Sequence, residues 1–174
     1  MAFIKPENIV AQAGLKAGDQ VTDFGCGAGF YSVAASQIVG NAGHVTAIDV
    51  QESKLVATKS AAAQKGFLNL SVYQADLEKH FDQIQTASQD LVILASILHE
   101  VKNREGLIKN AYAVLKTGGA MLVVDWQVKP SPFGPAMEKR IDQQAIIGLL
   151  ETIGLKLVKE IPADNYHYAL LFKK

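Results

Sequence analysis

Residues 21–31 read VTDFGCGAGFY. An apolar run ends in an acid, Asp23, and three glycines, Gly25, Gly27 and Gly29, then take every second position. No other stretch constrains the fold so much. Glycine permits positive φ and lets peptide N–H groups meet a ligand with no Cβ in the way. One glycine suffices for a turn, so three of them beside an acid predict a backbone cradle for a small ligand. In open α/β sheets such ligands sit at the carboxyl ends of strands where the strand order reverses.

The rest of the chain alternates in the way that placement requires. β-rich runs at 20–24, 44–50, 70–74, 91–95 and 120–126 take turns with helical segments. The first helix, 30–39, carries Tyr31, Ala34, Ala35 and Ile38 at helical spacing. The second carries Leu55 and Val56 and stops at Gly66. Asn103 and Asp142 are N-cap residues for two more helices, one bearing Leu107, Ile108, Ala111, Val114 and Leu115, the other Ile146, Leu149, Leu150 and Ile153. A looser segment, 76–89, leads to the fourth strand, and Thr117-Gly118-Gly119 turns into the fifth. After a proline-rich loop, KPSPFGP at 129–135, two final strands at 155–161 and 166–172 flank a short polar turn, the spacing of an antiparallel hairpin. The pattern predicts an α/β, Rossmann-like, doubly wound sheet of seven strands, mostly parallel, with a C-terminal hairpin and helices on both faces. The 174 residues are read as a single domain, 1–174.

Composition narrows the function. Lys plus Arg equals Asp plus Glu, 17 each, so no broad basic surface for nucleic acid or an anionic membrane is expected. The lone cysteine, Cys26, excludes an internal disulfide and a cysteine zinc cluster, and no metal site is expected. No apolar run nears the about 20 residues that span a bilayer, and the start lacks the apolar core of a signal peptide. A cytoplasmic location is the expectation.

The ligand follows from the loop's details. A dinucleotide fingerprint is GxGxxG; here the spacing is GxGxG, and Phe30 stands at the third glycine position. Phe30 hinders the backbone approach that a pyrophosphate needs, and Asp23 repels phosphate. A ligand bearing a cationic ammonium is favoured by the acid.

At this point the sequence resembles the class I S-adenosylmethionine-dependent methyltransferases, in particular the ubiquinone/menaquinone-biosynthesis-like branch that acts on small molecules. DFGCGAG matches their first motif at Asp23, Gly25, Gly27 and Gly29; AIDV, QADL, DLVILASILHEV and LKTGG resemble later motifs in order, so the likeness covers essentially the whole chain. The resemblance implies S-adenosyl-L-methionine as cofactor. It puts Asp49, with Val50 beside it, at the ribose hydroxyls, and Asp76 at the adenine. Asp49 also suits a vicinal diol on chemical grounds, since a carboxylate at a strand end accepts two hydrogen bonds. Asp76 is read equally as the N-cap of the next turn. Leu77 suits packing on the adenine face, and the backbone of Ala95 and Ser96 the methionine end. Tyr31 would border the methionine end or the acceptor, and Cys26 is read as a small loop residue, not a nucleophile.

Methyl transfer from a sulfonium needs alignment and exclusion of water, and a base only when the acceptor must lose a proton. His99 is the candidate base, weighed against a histidine bonded to backbone in a helix turn. Glu100 reads as a surface acid. Tyr166, His167 and Trp126 face either the pocket or other surroundings. Segments 1–19 and 127–141 are the only chain free to form a lid, the second offering Phe133, Met137, Lys139 and Arg140. Such a lean lid implies an open pocket or one completed by a second copy of the chain, a homo-oligomer. The expected acceptor is a small molecule; a nucleic acid is disfavoured by charge and by ASIL standing where an Asn-Pro-Pro-aromatic motif would be. Two alternatives stay open: a nicotinamide-dependent oxidoreductase, and a non-catalytic methyltransferase-like partner subunit.

Overall fold

A computed structural model of the chain describes residues 4–79 and 82–174; residues 1–3 of the expected N-terminal lid, and residues 80 and 81 of the looser segment, lie outside them. The elements run α1 (Pro6–Val10), β1 (Gln20–Phe24), α2 (Phe30–Val39), β2 (His44–Asp49), α3 (Glu52–Gln64), β3 (Leu70–Gln74), β4 (Gln89–Ala95), α4 (Arg104–Val114), β5 (Leu115–Trp126), α5 (Gln143–Thr152), β6 (Lys156–Ile161) and β7 (His167–Lys173). One sheet of seven strands has the order β3-β2-β1-β4-β5-β7-β6. β1 to β5 pair in parallel, and β7 runs antiparallel to both β5 and β6. The order reverses at β1, which has β2 on one side and β4 on the other, so the glycine loop leaves the sheet at its switch point.

Strands buried on both faces explain the apolar runs. In β4, Val92 and Leu94 join Phe24, Met121 and Val123 in a core closed by Leu107, Ile108 and Ala111 of α4 and Ile146 and Leu150 of α5. Leu91 and Ile93 point the other way, to a core with Val21, Leu122 and Val124 that Ala34, Ala35 and Val39 of α2 close. Asn103 caps α4 by accepting the Gly106 N–H at 3.0 Å, and Asp142 caps α5 by accepting from Gln144 and Ala145. Among the described residues no helix is long and apolar enough to cross a membrane.

Three local expectations need correction. The N-terminal segment is no free lid: α1 is present, Ile9, Val10 and Ala13 are buried in the α2-side core, and the Ile4 amide donates to Asp164 Oδ2 at 2.9 Å. Its apolar residues are too few to show a period, yet they fill the groove beside α2. The buried side of α2 also differs from the expected stripe, because Ser32 and Ser36 are inside it. Their hydroxyls donate to Asp23 Oδ2 and to the Ser32 carbonyl, which removes the cost of burying them. The fifth strand begins at Leu115, which pairs with Gln89; pairing resumes at Ala120 opposite Leu91 after the Gly118-Gly119 turn.

Candidate active site

The glycines are required for two different reasons. Gly25, Gly27 and Gly29 all have positive φ, 78°, 52° and 82°. At Gly25 a Cβ would lie 2.3 Å from Ile97 Cδ1, and at Gly29 it would lie 2.9 Å from the Thr58 Cα, so neighbouring elements close on the loop. At Gly27 a Cβ would meet nothing within 4 Å. That is the open side, where the backbone borders a cavity of about 630 Å³.

Four strand ends supply this cavity's wall. Gly25, Cys26, Gly27, Phe30 and Tyr31 come from the β1–α2 connection, Asp49 and Val50 from the end of β2, Asp76 and Leu77 from beyond β3, and Ala95 and Ser96 from the end of β4. Its size is that of a small-molecule site. Asp49, 8 % exposed, accepts the Gly27 N–H on Oδ2 at 3.0 Å and the Gln51 N–H on Oδ1 at 2.9 Å. Each oxygen keeps a second lone pair for a ligand. Thr58 of α3 ties the loop down from below by donating to the Gly27 carbonyl at 2.9 Å, while its oxygen lies 3.5 Å from Cys26 Sγ. Burial, with Asp23 and Asp49 nearby, pushes the Cys26 thiol up to about 12, so it is protonated and inert. Asp76 accepts the Glu78 N–H at 3.1 Å and pairs with Lys79 at 2.9 Å, so it caps its turn while standing on the cavity wall. Ser96 has φ +55, a left-handed conformation uncommon for a serine, where its amide still donates to the Val124 carbonyl at 2.7 Å.

Of the residues expected to hold the cofactor or act as base, Gly29, Asp23 and His99 are not on the wall. Gly29 lies behind it against Thr58. Asp23 is 1 % exposed, takes the Ser32 hydroxyl at 2.5 Å on Oδ2, and leaves Oδ1 without a partner among the described residues. Burial raises its carboxyl to about 6. His99 is turned inward, its Nδ1 2.7 Å from Asp125 Oδ1, and not to backbone. Conversely, Ala28, Gln51, Lys54, Ala75, Glu78, Ile97, Glu100 and Val101 also line the wall, and sequence reading did not assign them to it. The only signal was proximity to a strand end. Among the described residues the wall thus carries four carboxylates, Asp49, Asp76, Glu78 and Glu100, of which Asp76 is paired with Lys79, and one ammonium, that of Lys54.

The second expected lid segment is held shut by its own arginine. All the Arg140 donors are used within the loop: Nε to the Pro135 carbonyl, Nη1 to those of Gln127 and Lys129, Nη2 to Ser131 Oγ and the Phe133 carbonyl. The guanidinium also lies 5.3 Å from the Trp126 ring. Arg140 is therefore not available to an anionic acceptor, as the sequence had suggested. Trp126 packs under Gly134 and against His167, away from the cavity wall, and His167 Nδ1 is held by Asp164 at 2.7 Å.

The family described as "Methyltransferase domain" matches residues 15–153. Among curated proteins, the chain is 28 % identical over 160 residues to the ubiquinone/menaquinone biosynthesis C-methyltransferase UbiE of a Marinomonas species, covering 91 % of this chain and 61 % of that one. It is 32 % identical over 163 residues to the protein of the same name from Pseudomonas paraeruginosa, covering 90 % and 58 %. The chain thus spans about three-fifths of the length of these relatives. Among solved structures, a SAM-dependent methyltransferase from Aquifex aeolicus superposes with a TM-score of 0.88 at 26 % identity over 98 % of this chain and 89 % of that one. The [4+2]-cyclase SpnF superposes at 0.79 with 15 % identity over 97 % and 80 %, a likeness of fold alone.

Proposed function

The chain belongs to the methyltransferase-domain family, and we propose that it transfers the methyl group of S-adenosylmethionine to a small-molecule acceptor. One observation carries the choice of ligand. The Gly27 N–H, which a pyrophosphate would need, is committed to the Asp49 carboxylate, and the surrounding wall is rich in acids. A diphosphate is repelled there, whereas a ligand with an ammonium and a sulfonium is attracted. This argues against the nicotinamide reading.

When bound, S-adenosylmethionine supplies an electrophilic methyl on a positively charged sulfur. In this reading the chain's residues hold and align it. Asp49 accepts the ribose diol on its remaining lone pairs, and Val50 packs beside it. Asp76 accepts from the adenine amine and Leu77 packs on the ring. Gly25 and Gly27 give close backbone approach, and Gly29 lets the loop dock on Thr58. The backbone of Ala95 and Ser96 holds the methionine end. Asp23 supplies negative charge beneath the loop, and Tyr31 borders the acceptor. Cys26 acts only through its small size. The curated relatives are named for C-methylation in ubiquinone and menaquinone biosynthesis, which favours a quinone precursor as the acceptor. We place the protein in the cytoplasm, with an open pocket or one completed by a second copy of the chain.

The test is transfer itself. Purified protein incubated with methyl-labelled S-adenosylmethionine and a small-molecule extract should move label into a low-molecular-weight product. Label that stays wholly on the donor, although the donor binds, would favour a non-catalytic partner subunit.

A further inference from the structure

The turn that follows β4 has two sides. Ile97, Glu100 and Val101 line the cavity. Leu98 enters the core, and His99 turns to the end of β5, where its Nδ1 lies 2.7 Å from Asp125 Oδ1. Asp125 is fully buried, and the same oxygen accepts the Trp126 N–H at 2.8 Å. An ionised carboxylate only accepts, so a neutral imidazole here keeps its proton on Nδ1 and its lone pair on Nε2. Nε2 lies 3.8 Å from Glu100 Oε1, whose side chain is largely exposed on the cavity wall. The ring, itself off the wall, therefore has its donor nitrogen pinned to the core and its basic nitrogen towards Glu100, a residue of the cavity wall.

A second observation separates this pair from a packing device. Asp125 Oδ2 is buried with no hydrogen-bond partner among the described residues, and so is the hydroxyl of Tyr168, its register partner across β5 and β7. A buried carboxylate kept for stability alone would have both oxygens satisfied. An unsatisfied polar group buried in a native structure calls for an explanation, and a catalytic role is one. The charged groups around the cluster are Glu100 on the turn, Arg104 of α4 and Asp142 of α5, the last two bearing on Tyr168.

We propose that Asp125 is a positioning residue for His99, and that His99 is the base for an acceptor that must lose a proton: a phenol- or enol-like hydroxyl, or a ring C–H activated by one. The proposal rests on the methyl-transfer reading. In the step, the acceptor's proton goes to Nε2, and the electron pair it leaves behind becomes the bond to the methyl carbon, whose former bonding pair remains on sulfur. The imidazolium so formed stands between Asp125 and Glu100, which stabilise it.

Asp125→Asn isolates the charge. With two N–H donors on Oδ1, the asparagine carbonyl keeps that place and the amide takes the bare Oδ2 position, so ring and tautomer are retained. Long-range proton–nitrogen NMR of ¹⁵N-labelled protein saturated with S-adenosylhomocysteine, with His99 assigned through His99→Gln, should show Nδ1 protonated and Nε2 bare at pH 8 in wild type and Asp125→Asn, and mixed tautomers in Asp125→Ala. With 1,4-dihydroxynaphthalene as acceptor probe, Asp125→Asn should lower kcat at least tenfold and move the acidic limb of the pH profile to lower pH, with KM for S-adenosylmethionine unchanged. His99→Gln should remove that limb. An Nε2–H tautomer, or an Nε2 whose protonation never changes between pH 5 and 9, overturns the proposal even if the probe is not a substrate; so does wild-type-like turnover by both variants. Failure of S-adenosylhomocysteine to bind would instead remove the methyl-transfer reading, whatever the ring shows.

Discussion

Asp23 is held against its chemistry. Its carboxyl is raised from 3.8 to about 6, first by burial, so in that window the unfolded chain loses its proton while the folded one keeps it. The contribution of Asp23 to stability is therefore greatest below pH 4, falls as pH rises towards 6, and levels off above it, a loss of roughly 3 kcal/mol from this group. Asp23→Asn lacks this titration. Urea unfolding at pH 4 and pH 7 should find wild type losing stability relative to the variant as pH rises; a constant difference would mean that Asp23 ionises normally. Gly29→Ala combines a disfavoured φ of 82° with a Cβ against Thr58, and should cost about 1–3 kcal/mol and weaken the cofactor with it. Asp49→Ala removes an acceptor from Gly27 and from the proposed ribose, and should weaken S-adenosylmethionine binding by roughly 1–3 kcal/mol, measured by calorimetry. An unchanged affinity would mean the ribose lies elsewhere.

At the scale of elements, α1 and the proline loop have become structure where the sequence suggested freedom. Ile9 is 2 % exposed in the core beside α2, so Ile9→Ala should cost about 2–4 kcal/mol in urea unfolding, whereas a lid residue would cost almost nothing. Arg140→Lys cannot supply the same planar set of donors. Hydrogen exchange in residues 127–141 should speed up at least tenfold in that variant while β4 and β5 keep their protection; unchanged exchange would show that the loop holds itself. The bounds of β1, α2 and β3 were legible in the sequence because glycines and polar residues punctuate each run. α1 was not, since five residues with one proline carry no period. Arg140 was not legible because a surface arginine and one satisfied by carbonyls of its own loop look alike until the chain has folded. Asp125 was hidden in the same way, an acid at the end of an apolar strand whose partner, His99, is 26 residues away in sequence.

For the whole molecule, the order of strands does the positioning. Because the sheet reverses at β1, the ends of β1, β2, β3 and β4 converge on one cavity, and residues 20 to 70 positions apart in sequence share its wall. The two cores leave the strands little room to shift, so the loop geometry is set before any ligand arrives. The same scaffold carries a [4+2]-cyclase among its neighbours, so fold alone does not fix chemistry; the acids and the committed Gly27 amide do. That claim is tested most directly by calorimetric titration of the protein with S-adenosylmethionine, S-adenosylhomocysteine and NAD under one set of conditions. The account predicts saturable one-to-one binding of both sulfur nucleosides, weakened in Asp49→Ala, and no binding of NAD. Binding of NAD with neither sulfur nucleoside would contradict it.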